Sequence, residues 1–210
     1  MLKWHSQYGQ DTYVYNRFCS PDGYPNKNGV FVDIGAYDGV TLSNSYVLEN
    51  LGWTGWCFEP MPERYMQLVQ ARPNSQCHNC AIGRDNKMVE FCHVDGEPDM
   101  LSGVAEYYSA EHSLRINKEA QETHSAVKWI DVQMKTLDSF IEPNTHIDYL
   151  SLDTEGGEAG ILQNILLNFS PTIITVEANY PEDVRNIMDI VDRKYSYVQN
   201  IGCDMVLVLK

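Results

Sequence analysis

The chain has 210 residues, enough for one domain with a sizeable core, and 43% of them are hydrophobic, as in an ordinary soluble globular protein. No apolar stretch approaches the roughly 20 residues of a membrane span. Fifteen basic residues against 29 acidic ones leave a net charge of −14, which repels a phosphate backbone and disfavours a nucleic-acid partner. A neutral or cationic small molecule, or a glycan, suits such a surface better.

The opening stretch, MLKWHSQYGQDTYVY, has no apolar signal core and predicts a cytoplasmic protein. Its Gln7, Tyr8 and Asp11 read as a lid over a ligand or as a helix cap. A buried strand is predicted at 30–34, then Gly35 and Gly39, then a helix at 41–51 stopped by Gly52. A strand at 55–59, a helix at 62–71 ended by Pro73, and a strand at 76–82 follow. Strands at 88–94 and 127–134 flank a polar stretch, 95–125. That stretch is too long for an ordinary connection and reads as an acceptor-side insertion or lid. The alternation resumes with a strand at 146–152, a helix at 158–167, a strand at 172–176 and a helix at 181–193. Segments 195–199 and 205–209 read as a closing hairpin. The expected fold is a single α/β domain over 1–210. It is Rossmann-like, with a mostly parallel central sheet, helices on both faces and a C-terminal antiparallel hairpin.

In such folds ligands bind at the carboxyl ends of the strands. Asp33, Glu59, Asn79 to Ala81, Asp153 and Glu177 end the predicted strands. One acid there is commonly a helix cap. Four on one sheet edge would repel each other, which calls for something cationic among them. The first strand runs into VFVDIGAYDGVTLSN, with Gly35, Ala36, Tyr37 and Gly39 at its turn. A dinucleotide needs glycine where Tyr37 stands, so that backbone can approach the pyrophosphate, and Asp33 adds charge of the wrong sign. S-adenosylmethionine has no phosphate and carries a sulfonium and an ammonium. Glu59 follows Gly39 by 20 residues, near the distance at which an acid grips ribose hydroxyls. Pro60, Asn79, Cys80 and Ala81 lie where an adenine edge would fall, and Ser102 is a further candidate for the donor pocket.

SQYGQD at 6–11, FVDIGAYDGVTLSNSYVLENLGWTGWCFEPMPERY at 31–65, NCAIG at 79–83, KTLDSF at 135–140 and LDTEGGE at 152–158 together resemble the FkbM family. The resemblance implies a class I S-adenosylmethionine-dependent O-methyltransferase. It implies that Asp33, Gly35 and Gly39 belong to the donor loop and that Glu59 holds the ribose. Asp153, Glu155 and Glu158 match the family's Asp-x-Glu-Gly-x-Glu signature. Family members methylate hydroxyls of sugars, glycolipids and polyketides. The implied acceptor is a sugar or glycan, and association with glycosyltransferase domains of a viral glycan-building enzyme fits it. A small natural product as acceptor, or a donor-binding module without turnover, stays open. The region 95–125 matches no part of the family pattern.

Sugar hydroxyls are very weak acids, so a base or a metal must help remove the proton. Asp153 is the first candidate, with Glu155 beside it; His112 and His124, in the insertion, are the alternatives. Asp153, Glu177 and Asn179 together offer an oxygen-rich site for a hard cation such as Mg2+. Tyr107, Tyr108 and Trp129 are candidates to stack on a sugar face. The six cysteines, Cys19, Cys57, Cys77, Cys80, Cys92 and Cys203, read as reduced thiols of a cytosolic protein. The lone Cys77-x-x-Cys80 lacks the second pair that a structural zinc site needs.

Overall fold

The computed structural model describes residues 2–18, 28–96, 98–191 and 193–210; Cys19 lies outside them. The chain opens with helix α1 (Gln10–Phe18), then β1 (Val30–Ile34), α2 (Tyr46–Asn50), β2 (Thr54–Phe58), α3 (Pro62–Ala71) and β3 (Gln76–His78). Two short strands and two long ones follow: β4 (Ala81–Ile82), β5 (Lys87–Val94), β6 (Gly103–Val104) and β7 (Val127–Lys135), with α4 (Ala110–Thr123) between β6 and β7. The chain ends with β8 (Tyr149–Leu152), α5 (Glu158–Asn168), β9 (Ile173–Glu177), α6 (Pro181–Val191), β10 (Tyr195–Ile201) and β11 (Asp204–Leu209).

Seven strands form the main sheet in the order β10-β11-β9-β8-β1-β2-β3. The five from β9 to β3 are parallel, and the β10–β11 hairpin adds antiparallel to β9. Alternate residues of the central strands bury into opposite faces. Val32, Ile34, Leu150 and Ile174 join α5 and α6 on one side. Phe31, Tyr149 and Ile173 meet Val14 of α1, Leu48 of α2 and Leu68 of α3 on the other. Burial on both sides explains why these strands read as continuous apolar runs. The chain runs outward from β1 to β2 and β3, then returns to place β8 on β1's other side. The β1/β8 junction is therefore the switch point where such sheets open a crevice.

Three segments depart from the sequence reading. The predicted helix 41–51 forms only from Tyr46. Asp38 Oδ1 accepts the N–H groups of Val40 and Thr41 at 2.8 and 2.7 Å, and Ser43 Oγ accepts that of Tyr46 at 3.1 Å. Such local side-chain bonds compete with a helical turn. The predicted strand 76–82 breaks after His78, because Asn79 Nδ2 donates to the carbonyls of Glu59 and Pro60 at 2.9 and 3.0 Å. Its second half, β4, leaves for a separate four-stranded sheet, β4-β7-β5-β6. The stretch 95–125, read as an insertion without elements of its own, carries several outside residue 97: 3-10 turns at Asp99–Leu101 and Ala105–Tyr107, strand β6, and the 14-residue α4 capped by the Ser109 side chain. Helix α4 lays Ile116 against Cys92, Val94 and Leu101.

Beneath the first loop lies a buried ion cluster that the sequence did not announce. Arg72, 1% exposed, donates from Nε to Glu49 at 2.6 Å and from its terminal nitrogens to the Gly39 carbonyl at 3.2 Å and Ser45 Oγ at 2.9 Å. Its guanidinium also stands 3.9 Å from Asp33. Glu49 further accepts the Asn74 N–H at 2.9 Å and the Ser75 hydroxyl. Removing one partner of a buried pair strands the other charge. Arg72→Met should lower the unfolding free energy by roughly 3–5 kcal/mol; urea denaturation measures it, and a loss below about 1 kcal/mol contradicts this role.

Candidate active site

A cavity of about 380 Å3 opens over the carboxyl ends of β1, β2, β8 and β9, within the usual size range of cofactor pockets. Its back wall is the turn after β1. Gly35 has φ +87°, and a methyl group there would collide with the Asp153 carbonyl oxygen. Only glycine lets the β1 and β8 ends approach so closely. The N–H groups of Gly35 and Ala36 both donate to the Phe58 carbonyl, at 3.1 and 3.0 Å. Tyr37 follows with φ +51°, an uncommon conformation for a residue with a side chain. Two anchors hold it. Its N–H donates to Glu59 at 2.9 Å, and its hydroxyl donates to Asp99 at 2.8 Å. Arg64 pairs with Asp99 and stacks its guanidinium 4.3 Å above the Tyr37 ring. Asp99 thus ties the insertion to the β1 loop.

The structure gathers most of the expected site residues here. Asp33, Gly35, Ala36, Tyr37, Glu59, Pro60, Cys80, Ala81 and Ser102 line the cavity, as do Asp153, Glu155, Glu177 and Asn179. Two expected donor contacts sit behind it. Gly39 lies against Leu68 and Arg72, where a Cβ would be 2.8 Å from each side chain. Asn79 is spent on the Glu59 and Pro60 carbonyls. Of the aromatic candidates, Tyr107 lines the cavity. Tyr108 instead packs on His112 and donates to the Leu101 carbonyl at 2.9 Å. Trp129 is 55% exposed on β7, outside the cavity.

The acids differ sharply in their partners. Asp33 accepts the Ser45 hydroxyl and faces Arg72; burial still raises its carboxyl above the ordinary range. Glu59 is buried and accepts two backbone N–H groups, from Tyr37 and from Met61 at 2.8 Å; desolvation nonetheless pushes it up to about 7. Glu158 is structural. It takes the Thr154 N–H at 3.2 Å, the Thr154 hydroxyl at 2.9 Å and the Gly156 N–H at 2.7 Å. Those bonds fix the turn that carries Glu155, whose φ is +56°.

Asp153, Glu155 and Glu177 have no such neutralising set. One carboxylate oxygen from each converges to within 4.8 Å of the others. Among the described residues none of the three is ion-paired to a lysine or arginine. The buried Oε2 of Glu155 makes no hydrogen bond, and its nearest basic atom is His112 Nδ1 at 3.8 Å. Desolvation first, and then mutual repulsion, drives all three carboxyls up, Glu155 to about 8. The Asn179 side chain, which lines the same cavity, opposes the rise at Glu177. Oxygen-only donors converging this tightly suit a hard cation.

The two histidine candidates separate. His112 is buried on α4, with its Nε2 3.3 Å from the Leu101 carbonyl, so that nitrogen carries the proton and Nδ1 faces Glu155. It does not reach the cavity surface. His124 is the left-handed cap at the far end of α4, exposed and outside the cavity. As a base acting on a bound acceptor it is ruled out by position.

Asp99, Arg115, Glu119 and Asp204 also line the cavity and escaped the sequence reading. Asp204 carried a usable signal: β11 runs antiparallel, so its first residue lies at the carboxyl edge, opposite Glu177.

The sequence profile described as the Methyltransferase FkbM domain matches residues 33–198. The chain belongs to the FkbM methyltransferase family. No curated protein sequence matches it significantly. Among solved structures, it resembles a protein described as an rRNA methylase from Clostridium thermocellum, at 9% identity and a TM-score of 0.53, over 100% of this chain and 98% of that one. A TehB-like SAM-dependent methyltransferase from Corynebacterium glutamicum is similar at 8% identity and a TM-score of 0.49, over 98% and 89% of the two chains. The fold is thus the α/β Rossmann-like methyltransferase fold, and the family is one of S-adenosylmethionine-dependent enzymes.

In this FkbM methyltransferase the raised carboxyls fix the sign of the pH dependence. Glu59, near 7, and Glu155, near 8, hold protons in the fold that the unfolded chain has already released. Above the unfolded carboxylate range and up to about pH 8, the folded state binds more protons, so stability falls as pH rises. The thermal midpoint of the free protein should be higher at about pH 6 than at about pH 8.5. Scanning calorimetry in both buffers checks it; a midpoint that rises with pH contradicts the assignment.

Proposed function

We propose that the protein transfers the methyl group of S-adenosylmethionine to a hydroxyl of a sugar or glycan. The observation that carries this reading is the un-neutralised triad Asp153, Glu155 and Glu177 beside the β1 loop. The donor fits along that loop, with its ribose hydroxyls on Glu59 and its adenine toward Pro60, Cys80 and Ala81. Its sulfonium then faces the triad, and carboxylates favour a cation there. The acceptor hydroxyl enters between sulfonium and triad.

As the oxygen takes the methyl, the sulfur becomes neutral and the hydroxyl proton must leave. Asp153 is placed to take it. Its raised proton affinity makes it a stronger base once ionised. Glu177 and Glu155 favour its protonated form afterwards, because a proton on Asp153 relieves their mutual repulsion. The same three carboxylates would hold Mg2+, which would acidify the acceptor hydroxyl directly. A nucleic-acid acceptor is disfavoured here: the net charge is −14, and the charged side chains on the cavity wall are acids but for Arg115.

The test is labelled S-adenosylmethionine incubated with a panel of glycosides, followed by mass spectrometry. Label in a sugar O-methyl group is expected; label in RNA but in no glycoside would overturn the reading. Asp153→Asn keeps the shape and removes the basicity. It should slow turnover by about 100- to 10,000-fold while calorimetry shows donor binding largely kept. Near wild-type turnover in a folded Asp153→Asn variant would remove Asp153 from the chemistry. Chelator that stops the wild type, with rescue by Mg2+, would identify the cation role; a chelator-insensitive rate that falls at low pH would identify the simple base.

A further inference from the structure

Among the described residues the charged side chains that line the cavity are acids, with a single cation, Arg115. Arg115 stands on α4, within the stretch 95–125 that reads as an acceptor-side insertion. Its Nε donates to Glu119 Oε1 at 2.8 Å, one turn on. The two side chains are 42% and 36% exposed, at the open edge of the cavity. Among the described residues the two terminal nitrogens of Arg115 make no hydrogen bond.

We infer that Arg115 and Glu119 form the acceptor-binding pair, a donor and an acceptor set side by side that grip two neighbouring hydroxyls of an uncharged sugar. This rests on the sugar-methylating reading above. The Nε bond holds the guanidinium in a fixed plane, with its remaining N–H groups free to donate. Glu119 keeps an oxygen able to accept. A hydroxyl donates and accepts at once, so two adjacent ones satisfy both partners without breaking the ion pair. An anionic acceptor would have to displace Glu119 and would also face Glu155, which lies close enough to Arg115 for each to shift the other's proton affinity. The helix supplies the distance as well. His112, three residues before Arg115, packs beside Glu155, so one face of α4 runs from the triad to the lip, a rise of roughly 4.5 Å. A sugar with one hydroxyl at the triad presents its next ones at Arg115.

An ordinary exposed pair four residues apart on a helix adds little to the fold and nothing to catalysis, and the experiment separates the two. Wild type, Arg115→Ala, Arg115→Lys and Glu119→Gln are assayed with labelled S-adenosylmethionine. The probes are methyl glycosides of the neutral hexoses and 6-deoxyhexoses, with methyl glucuronide as the charged probe. In Arg115→Ala the KM of the methylated neutral glycoside should rise by about tenfold or more, with kcat and the calorimetric Kd of the donor nearly unchanged. Arg115→Lys should not restore it, because an ammonium lacks the planar fork. An unchanged KM overturns the inference, as does a lost donor affinity, which would place Arg115 on the donor's carboxylate. Preference for the glucuronide overturns it too. If the wild type labels no glycoside, the sugar reading fails and this pair fails with it. If wild type and Arg115→Ala label equally, only the pair fails.

Discussion

A carboxylate removed from water must be given a proton, hydrogen-bond donors or a cation, and that requirement organises this sheet edge. Strands β1, β2, β8, β9 and β11 each deliver an acid to the same crevice: Asp33, Glu59, Asp153, Glu177 and Asp204. The protein resolves them in different ways. Asp33 has Arg72 and Ser45. Glu59 has the N–H groups of Tyr37 and Met61. Asp204 accepts Gln10 Nε2 at 3.0 Å. Asp153 and Glu177, joined by Glu155, are left to protons or to a ligand. Burial raises the proton affinity of all these acids; what sets Asp153, Glu155 and Glu177 apart is that their oxygens converge with no lysine or arginine paired to them among the described residues.

The satisfied acids work as scaffolding. Glu59 holds Tyr37 in its strained turn, and Glu158 does the same for Glu155. In both cases a buried carboxylate collects backbone N–H groups from a loop with positive φ. Strain of this kind persists only where surroundings over-determine it, and it gathers at functional sites. Here it aims the Glu155 side chain at the triad. Two members of the Asp-x-Glu-Gly-x-Glu run therefore line the cavity, while the third shapes the loop that presents them.

Much of this was legible in the sequence, for physical reasons. Strands buried on both faces leave unmistakable apolar runs, so 30–34 and its parallel neighbours could be read directly. An acid closing such a run lands at the carboxyl edge whatever the details of packing, which located Asp33, Glu59, Asp153 and Glu177. What could not be read depends on contacts between distant segments. Thr41 to Ser45 has helical periodicity, but the side chains of Asp38 and Ser43 capture its backbone. Asn79 looked like a ligand contact because its register is right, yet it is consumed by carbonyls of the neighbouring β2–α3 turn. Arg72 carried no signal: a lone arginine after a helix reads as surface, and only the fold closes Glu49, Asp33 and Ser45 around it.

The insertion shows the same limit most plainly, and also why it matters. Its polar composition reads as an insertion or lid and hides a helix: α4 buries Ile116 and Ala120, and the adjoining positions Arg115 and Glu119 reach the cavity. The 3-10 turn at its start places Asp99 between Tyr37 and Arg64. Tyr37 belongs to the β1 loop and Arg64 to α3, so the insertion is tied to both through Asp99. A charge-assisted contact of this kind transmits position. Displacing Asp99 would loosen Tyr37 from above while Glu59 still holds it from below. The Tyr37 turn, held by Glu59 on one side and by Asp99 on the other, is thus the point where the β1 loop and the insertion are joined.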